Sequence, residues 1–88
     1  MRVRRLDVLD EYVEDGRAAV YTTKGMVALL SELATAAWCM LDDRWVPTTE
    51  VTEMLIREFG DPGGGEADRL TQNALRSLAE LSLVELDD

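Results

Sequence analysis

Asp15-Gly16 limits the folding of this chain more than any other pair of residues. Both tolerate positive φ, which the tight turn of a two-residue hairpin requires, and they stand between "VLDEYV" and "RAAVY", two segments carrying β-branched and aromatic residues. A second turn follows at "TTKG", with Gly25 where a Cβ would clash, and "MVALL" supplies a third strand. Residues 6–30 are therefore expected to form a three-stranded antiparallel meander.

Helical signals replace strand signals at Ser31. It directly follows the apolar run and precedes Glu32, so it reads as an N-cap with an acid placed to meet the helix dipole. Leu33, Ala36, Ala37, Met40 and Leu41 then recur at helical spacing until Asp42-Asp43. "DDRWVP" is a connection whose Trp45 and Val46 fold back on the core. Thr48 or Thr49 caps a second helix with Val51, Met54, Leu55 and Phe59 on one stripe, and Gly60 ends it. "GDPGGG" is a flexible loop and not a domain boundary, because too little chain lies on either side to fold separately.

A third helix is expected from Glu66 or Ala67 to about Leu81. Ala67, Leu70, Ala74, Leu78 and Leu81 fall within an arc of about 80° when each residue turns about 100°. Asn73 and Ser77 flank that stripe on one side, Thr71 and Leu75 on the other. "LVEL" reads as a short extended segment, and Asp87-Asp88 as a frayed end. The order is three strands, then three helices, which predicts one α+β domain over residues 1–88 with a small sheet against the helices.

Composition removes several functions. Eighteen acidic against nine basic side chains give a net charge of −9, which repels a polyanion and suits a basic or amphipathic peptide. Nucleic acid is not the expected partner. No apolar run approaches the roughly 20 residues of a membrane span, so neither is a membrane. Cys39 is the lone cysteine, set in "AAWCML", where it reads as a small buried hydrophobe and fits a reducing, cytoplasmic setting.

Chemistry finds little to work with. Without histidine or a second cysteine, the usual zinc ligands and nucleophile–base pairs are missing. Asp10-Glu11, Glu14-Asp15 and Asp42-Asp43 are adjacent carboxylates, which point apart on strands and sit where solvated turn residues belong. "GDPGGG" lacks the lysine and hydroxyl residue that follow the glycines of a phosphate loop. Trp38 and Trp45 lie beside apolar stripes and read as core. The expectation is a protein that is no enzyme and holds no cofactor or metal.

A binding edge is what remains. One outer strand of a meander presents unpaired N–H and C=O groups, and between Met26 and Leu30 "MVALL" carries no lysine, proline or charge to protect them. An extended peptide could join there as a fourth strand. The alternatives are a strand covered by the protein's own helices or by a second copy.

"VYTTKGMVALLSELATAAW", "TTEVTEMLIREFG" and "ALRSLAELSLVEL" taken in order resemble the PqqD-like domains, also called RiPP recognition elements. The resemblance covers nearly the whole chain and rests on the order and spacing of apolar and small residues. It departs from the family pattern at Leu70-Thr71, where Asp-Val is usual, at Ala74, where a larger apolar residue is common, and at Ser82, where glycine is common. The resemblance implies a winged-helix-like fold that binds the leader region of a ribosomally made precursor peptide. The leader would lie antiparallel along Met26, Val27, Ala28, Leu29 and Leu30, facing Leu70, Asn73, Ala74, Ser77 and Leu81. It also implies a processing enzyme, a leader peptidase or cyclase, as second partner. Small stand-alone members rich in Ala, Arg and Asp point to lasso peptide biosynthesis.

Two other classes compete. A winged-helix DNA-binding regulator needs several basic residues on its reading helix, whereas helix three offers Arg69 and Arg76 among Glu66, Asp68 and Glu80. A dimerisation or subunit module without a peptide ligand would use the same apolar edge.

Overall fold

Asp15 and Gly16 both adopt left-handed backbone, with φ of 53° and 76°, and reverse the chain from β2 (Val8–Glu14) into β3 (Arg17–Thr22). The second turn leads into β4 (Val27–Leu29), and the sheet order is β2-β3-β4, all antiparallel. The meander is therefore present as expected. The computed structural model describes residues 1–87 of the chain.

Three helices follow: α1 (Glu32–Met40), α2 (Thr48–Phe59) and α3 (Glu66–Glu80). Ser31 caps α1, its hydroxyl accepting the Ala34 N–H at 3.1 Å. Neither threonine caps α2; Pro47 occupies that position and Thr48 is already helical. Gly60, at φ 87°, ends α2.

A second sheet completes the α+β fold. The N-terminal β1 (Arg2–Arg5) lies between β5 (Val46–Pro47) and β6 (Val84–Asp87). Of these strands only the C-terminal one was expected. "RVRR" hides its alternation because Val3, fully buried, is the lone apolar residue among arginines. Those arginines pair outward: Arg2 with Asp87 and Arg4 with Glu85 at 2.7 Å, while both guanidinium groups stack over Trp45. Asp87 thus belongs to a paired strand, and Asp88 lies outside the described residues.

Trp38 sits at 0% exposure among Val3, Val20, Leu41, Val51, Leu55, Leu75, Leu78 and Leu83 in the core. Its indole N–H donates to Glu11 at 2.7 Å, and the Arg5 guanidinium lies 3.8 Å from its ring centre. Arg5 also donates to the Trp38 carbonyl at 3.0 Å and pairs with Glu11 at 3.2 Å. Strands β1 and β2 are thereby tied to α1. Cys39, one position on, faces solvent instead of the core, because the turn of α1 that buries Trp38 and Ala34 directs it outward.

Helix α3 buries a different face from the one its periodicity suggests. Thr71, Leu75 and Leu78 form the core stripe, whereas Leu70 and Leu81 are each 37% exposed. Thr71 tolerates burial because its hydroxyl bonds the Ala67 carbonyl at 2.8 Å. The helix closes on Ser82 at φ 61°, with Leu83 N–H to the Leu78 carbonyl and Ser82 N–H to that of Ala79. This is the bonding of a Schellman cap, whose left-handed position favours glycine. Ser82→Gly is expected to raise stability by about 1 kcal/mol, the usual cost of a Cβ in that conformation. A urea midpoint that rises at unchanged slope would meet this expectation; an unchanged or lower midpoint would refute it.

Candidate functional site

The outer edge of β4 is unpaired by any strand among the described residues. The register sets which of its groups are free. Thr22 donates to the Met26 carbonyl at 2.8 Å and Leu30 to the Ala18 carbonyl at 2.8 Å, so Met26 and Leu30 turn their backbone groups toward β3. Ala28, opposite Val20, does the same by the alternation of an antiparallel ladder. Val27 and Leu29 therefore direct their N–H and C=O groups outward. Of the five residues expected at the edge, these two offer main-chain bonds.

Side chains divide along the same line except at Met26. Ala28 and Leu30 are buried, while Met26, Val27 and Leu29 are 60%, 54% and 76% exposed. The charge-free stretch is thus half core and half surface.

Two local devices fix the ends of this edge. At its start, the Thr22 hydroxyl accepts the Met26 N–H at 3.2 Å inside the Gly25 turn. At its end, the ladder gives way to α1 at Ser31, and two side chains take over the bonds that β4 would have continued. Thr35 of α1 accepts the buried Ala18 N–H at 2.8 Å, and Arg17 donates to the Leu30 carbonyl at 3.1 Å. Sequence reasoning missed both residues, since nothing in a lone threonine on a helix reveals which amide it will meet.

Helix α3 approaches the start of β4 with its last turn. At its C-terminal end, Glu80, Leu81 and Ser82 share a small cavity of about 100 Å³ with Thr22, Lys24, Met26, Val27 and Ala28. Lys24 Nζ reaches Ser82 Oγ at 3.2 Å there. Near the other end, Leu70, Ala67 and Thr71 join Leu33, Leu55 and Phe59 around an apolar cavity of about 190 Å³. Between these ends lie Ala74 and Ser77, on the same helix face as Leu70 and Leu81. Ala74 is half-buried, and Asn73 and Ser77 are exposed. All five α3 residues expected at the site thus lie outside the core stripe. Lys24, Leu33, Phe59 and Ser82 join them; helix periodicity put Leu33 and Phe59 on core stripes and gave no signal for Lys24 and Ser82.

The carboxylate pairs have other roles. Glu11 binds Trp38 and Arg5, and Asp42 accepts the Arg44 backbone N–H at 2.8 Å and its guanidinium. These bonds hold the Asp42 carboxyl below its ordinary pKa, the backbone bond contributing most. Arg69 on α3 is engaged by Glu66. The tryptophan rings are occupied too, Trp38 by the core and Trp45 by Arg2 and Arg4.

No protein-family model and no curated protein matches this sequence. Among solved structures, the chain is similar to TbiB1 in complex with the TbiA(beta) leader peptide. The TM-score is 0.78 over 97% of this chain and 99% of that one, at 18% identity. At this identity the likeness is one of fold, and it extends over both sheets and all three helices.

Thr35→Val would leave the buried Ala18 N–H without a partner and is expected to cost about 1–3 kcal/mol. Urea unfolding should show the loss, and Thr35→Ser should recover most of it. Hydrogen exchange at Ala18 and Leu30 should quicken in the valine variant; unchanged exchange there would refute the role given to Thr35.

Proposed function

We propose that this protein is a non-catalytic adaptor that captures the leader region of a ribosomally made precursor peptide. The leader adds as a strand to the outer edge of β4, in the cleft against α3, and the attached core is delivered to a processing enzyme. The observation that carries this reading is the pairing of a free strand edge at Val27 and Leu29 with an α3 face that the core does not use. Fold likeness to a protein solved with a leader peptide supports it.

Main-chain bonds to Val27 and Leu29 supply register, and the α3 side chains supply specificity. From Leu70 to Leu81 the helix covers roughly 16 Å at about 1.5 Å per residue, the length of about five extended residues. Over the middle of that span stand Ala74 and Ser77, whose small side chains leave room for a ring or branched side chain from the leader. Delivery works by effective concentration, since a leader held near the enzyme makes the next encounter nearly intramolecular. The net charge of −9 favours a leader with lysines or arginines and acts mainly on association rate. The pathway we assign to this domain is lasso peptide biosynthesis, with a leader peptidase as the enzyme, in a reducing cytoplasm.

Titration of the labelled domain with the leader encoded beside it tests the reading. Amide shifts are expected at residues 26–30 and along 70–81; shifts confined elsewhere would overturn the site. Leu29→Pro removes an outward N–H that β3 does not use, so the variant should fold and lose at least tenfold in affinity. Ala28→Pro removes an inward one and should instead disrupt the sheet. Ala74→Phe should fill the cleft and weaken binding at least tenfold; a folded variant with unchanged affinity would sink the pocket. Association should slow as salt rises, and a salt-independent on-rate would contradict steering.

A further inference from the structure

The far side of α1 carries a second groove, which shares only Phe59 with the cavities beside α3. Its apolar walls are Val13 at the β2–β3 hairpin tip, Ala36 and Cys39 on α1, and Phe59 at the end of α2, bordering a volume of about 410 Å³. Val13 is 48% exposed and Phe59 50%, the latter on a helix whose Val51 and Leu55 pack inward. Asp15, Glu32 and Glu58 stand around the same groove.

These three carboxylates differ from those elsewhere on the surface. Among the described residues, the ion pairs are Arg2–Asp87, Arg4–Glu85, Arg5–Glu11, Arg44–Asp42 and Arg69–Glu66. None reaches Asp15, Glu32 or Glu58, and no lysine or arginine lines the groove. The negative charge is therefore uncompensated around an apolar floor. A second copy of the chain would bring the same three carboxylates against them, and nucleic acid or an anionic membrane would be repelled in the same way.

We infer that this groove docks a basic segment of the partner protein, with an apolar side chain seated among Val13, Ala36, Cys39 and Phe59 and lysines or arginines meeting Asp15, Glu32 and Glu58. Identifying that partner with the processing enzyme rests on the adaptor reading above; the chemistry of the groove does not. Phe59 lies between the two sites, lining this groove and the cavity beside Leu70. The peptide edge stays open while the groove is filled, so both partners can be held together.

The test uses the intact labelled domain and three synthetic twelve-residue peptides: an amphipathic Leu/Lys helix former, its Leu/Glu counterpart and a Lys/Ser peptide of equal charge. The Leu/Lys peptide should shift amides at residues 13, 36, 39 and 59. The other two should bind at least tenfold more weakly. Glu58→Lys combined with Glu32→Gln should weaken the Leu/Lys peptide at least tenfold. Folding should tolerate both changes: a lysine in the last turn of α2 meets the helix dipole favourably, and glutamine, a good helix former, gives up only the modest dipole contribution of Glu32. Val13→Ser should weaken the same peptide with all charges kept. Equal binding of the Lys/Ser peptide, or shifts scattered over the acidic surface, would overturn the proposal. Leader binding measured on the same variants separates the two readings. If it persists while the groove fails, this inference alone falls; if the groove binds while no leader does, the adaptor reading falls and the groove stands.

Discussion

The contact between Arg5, Trp38 and Glu11 is the point on which the arrangement of this small domain turns. Trp38 is the largest fully buried side chain, and its ring carries a polar N–H that must find an acceptor. Glu11 provides it from β2, and Arg5 from β1 satisfies the same carboxylate, covers the ring and bonds the Trp38 carbonyl near the end of α1. One side chain from each of three elements thus fixes how both sheets approach the first helix. The Glu11–Arg5 pair is only partly shielded from water, so its Coulombic share is modest. Its larger effect is geometric, because it removes rotational freedom from the tryptophan around which the core is built.

With α1 so fixed, the edge of β4 follows. Ser31 starts the helix immediately after Leu30, and Thr35, one turn on, meets the amide that the ladder leaves behind. The strand can be short because the helix finishes its hydrogen bonding. The same helix presents Leu33 to the cavity beside Leu70 and Cys39 to the opposite groove, so both surfaces are set by one rigid element.

Legibility in the sequence followed the range of the interaction. Asp15-Gly16, Gly25, Ser31 and Gly60 act on their neighbours, and the meander and the three helices could be read from them. Strand β1 could not, because its arginines look like surface until Asp87 and Glu85 arrive from the far end of the chain. The α3 stripe was misjudged by about a quarter turn. A threonine that satisfies its hydroxyl on its own helix can be buried as readily as a leucine, and Thr71 leaves Leu70 and Leu81 to the cleft. Leu70 and Leu81, inferred from resemblance, line two separate cavities along α3, and Phe59 and Lys24 reach those cavities by tertiary placement that no local pattern encodes.

The handover at Leu30 also sets a limit on grip. Since Thr35 and Arg17 end the ladder, only Val27 and Leu29 turn bonding groups outward, and a strand added there gains about four main-chain hydrogen bonds. At a net 0.5–1.5 kcal/mol each, they amount to roughly 2–6 kcal/mol, short of the roughly 8 kcal/mol of micromolar affinity. A peptide held on this edge by its backbone alone would leave quickly. Any longer residence would have to come from contacts made by the side chains of such a peptide.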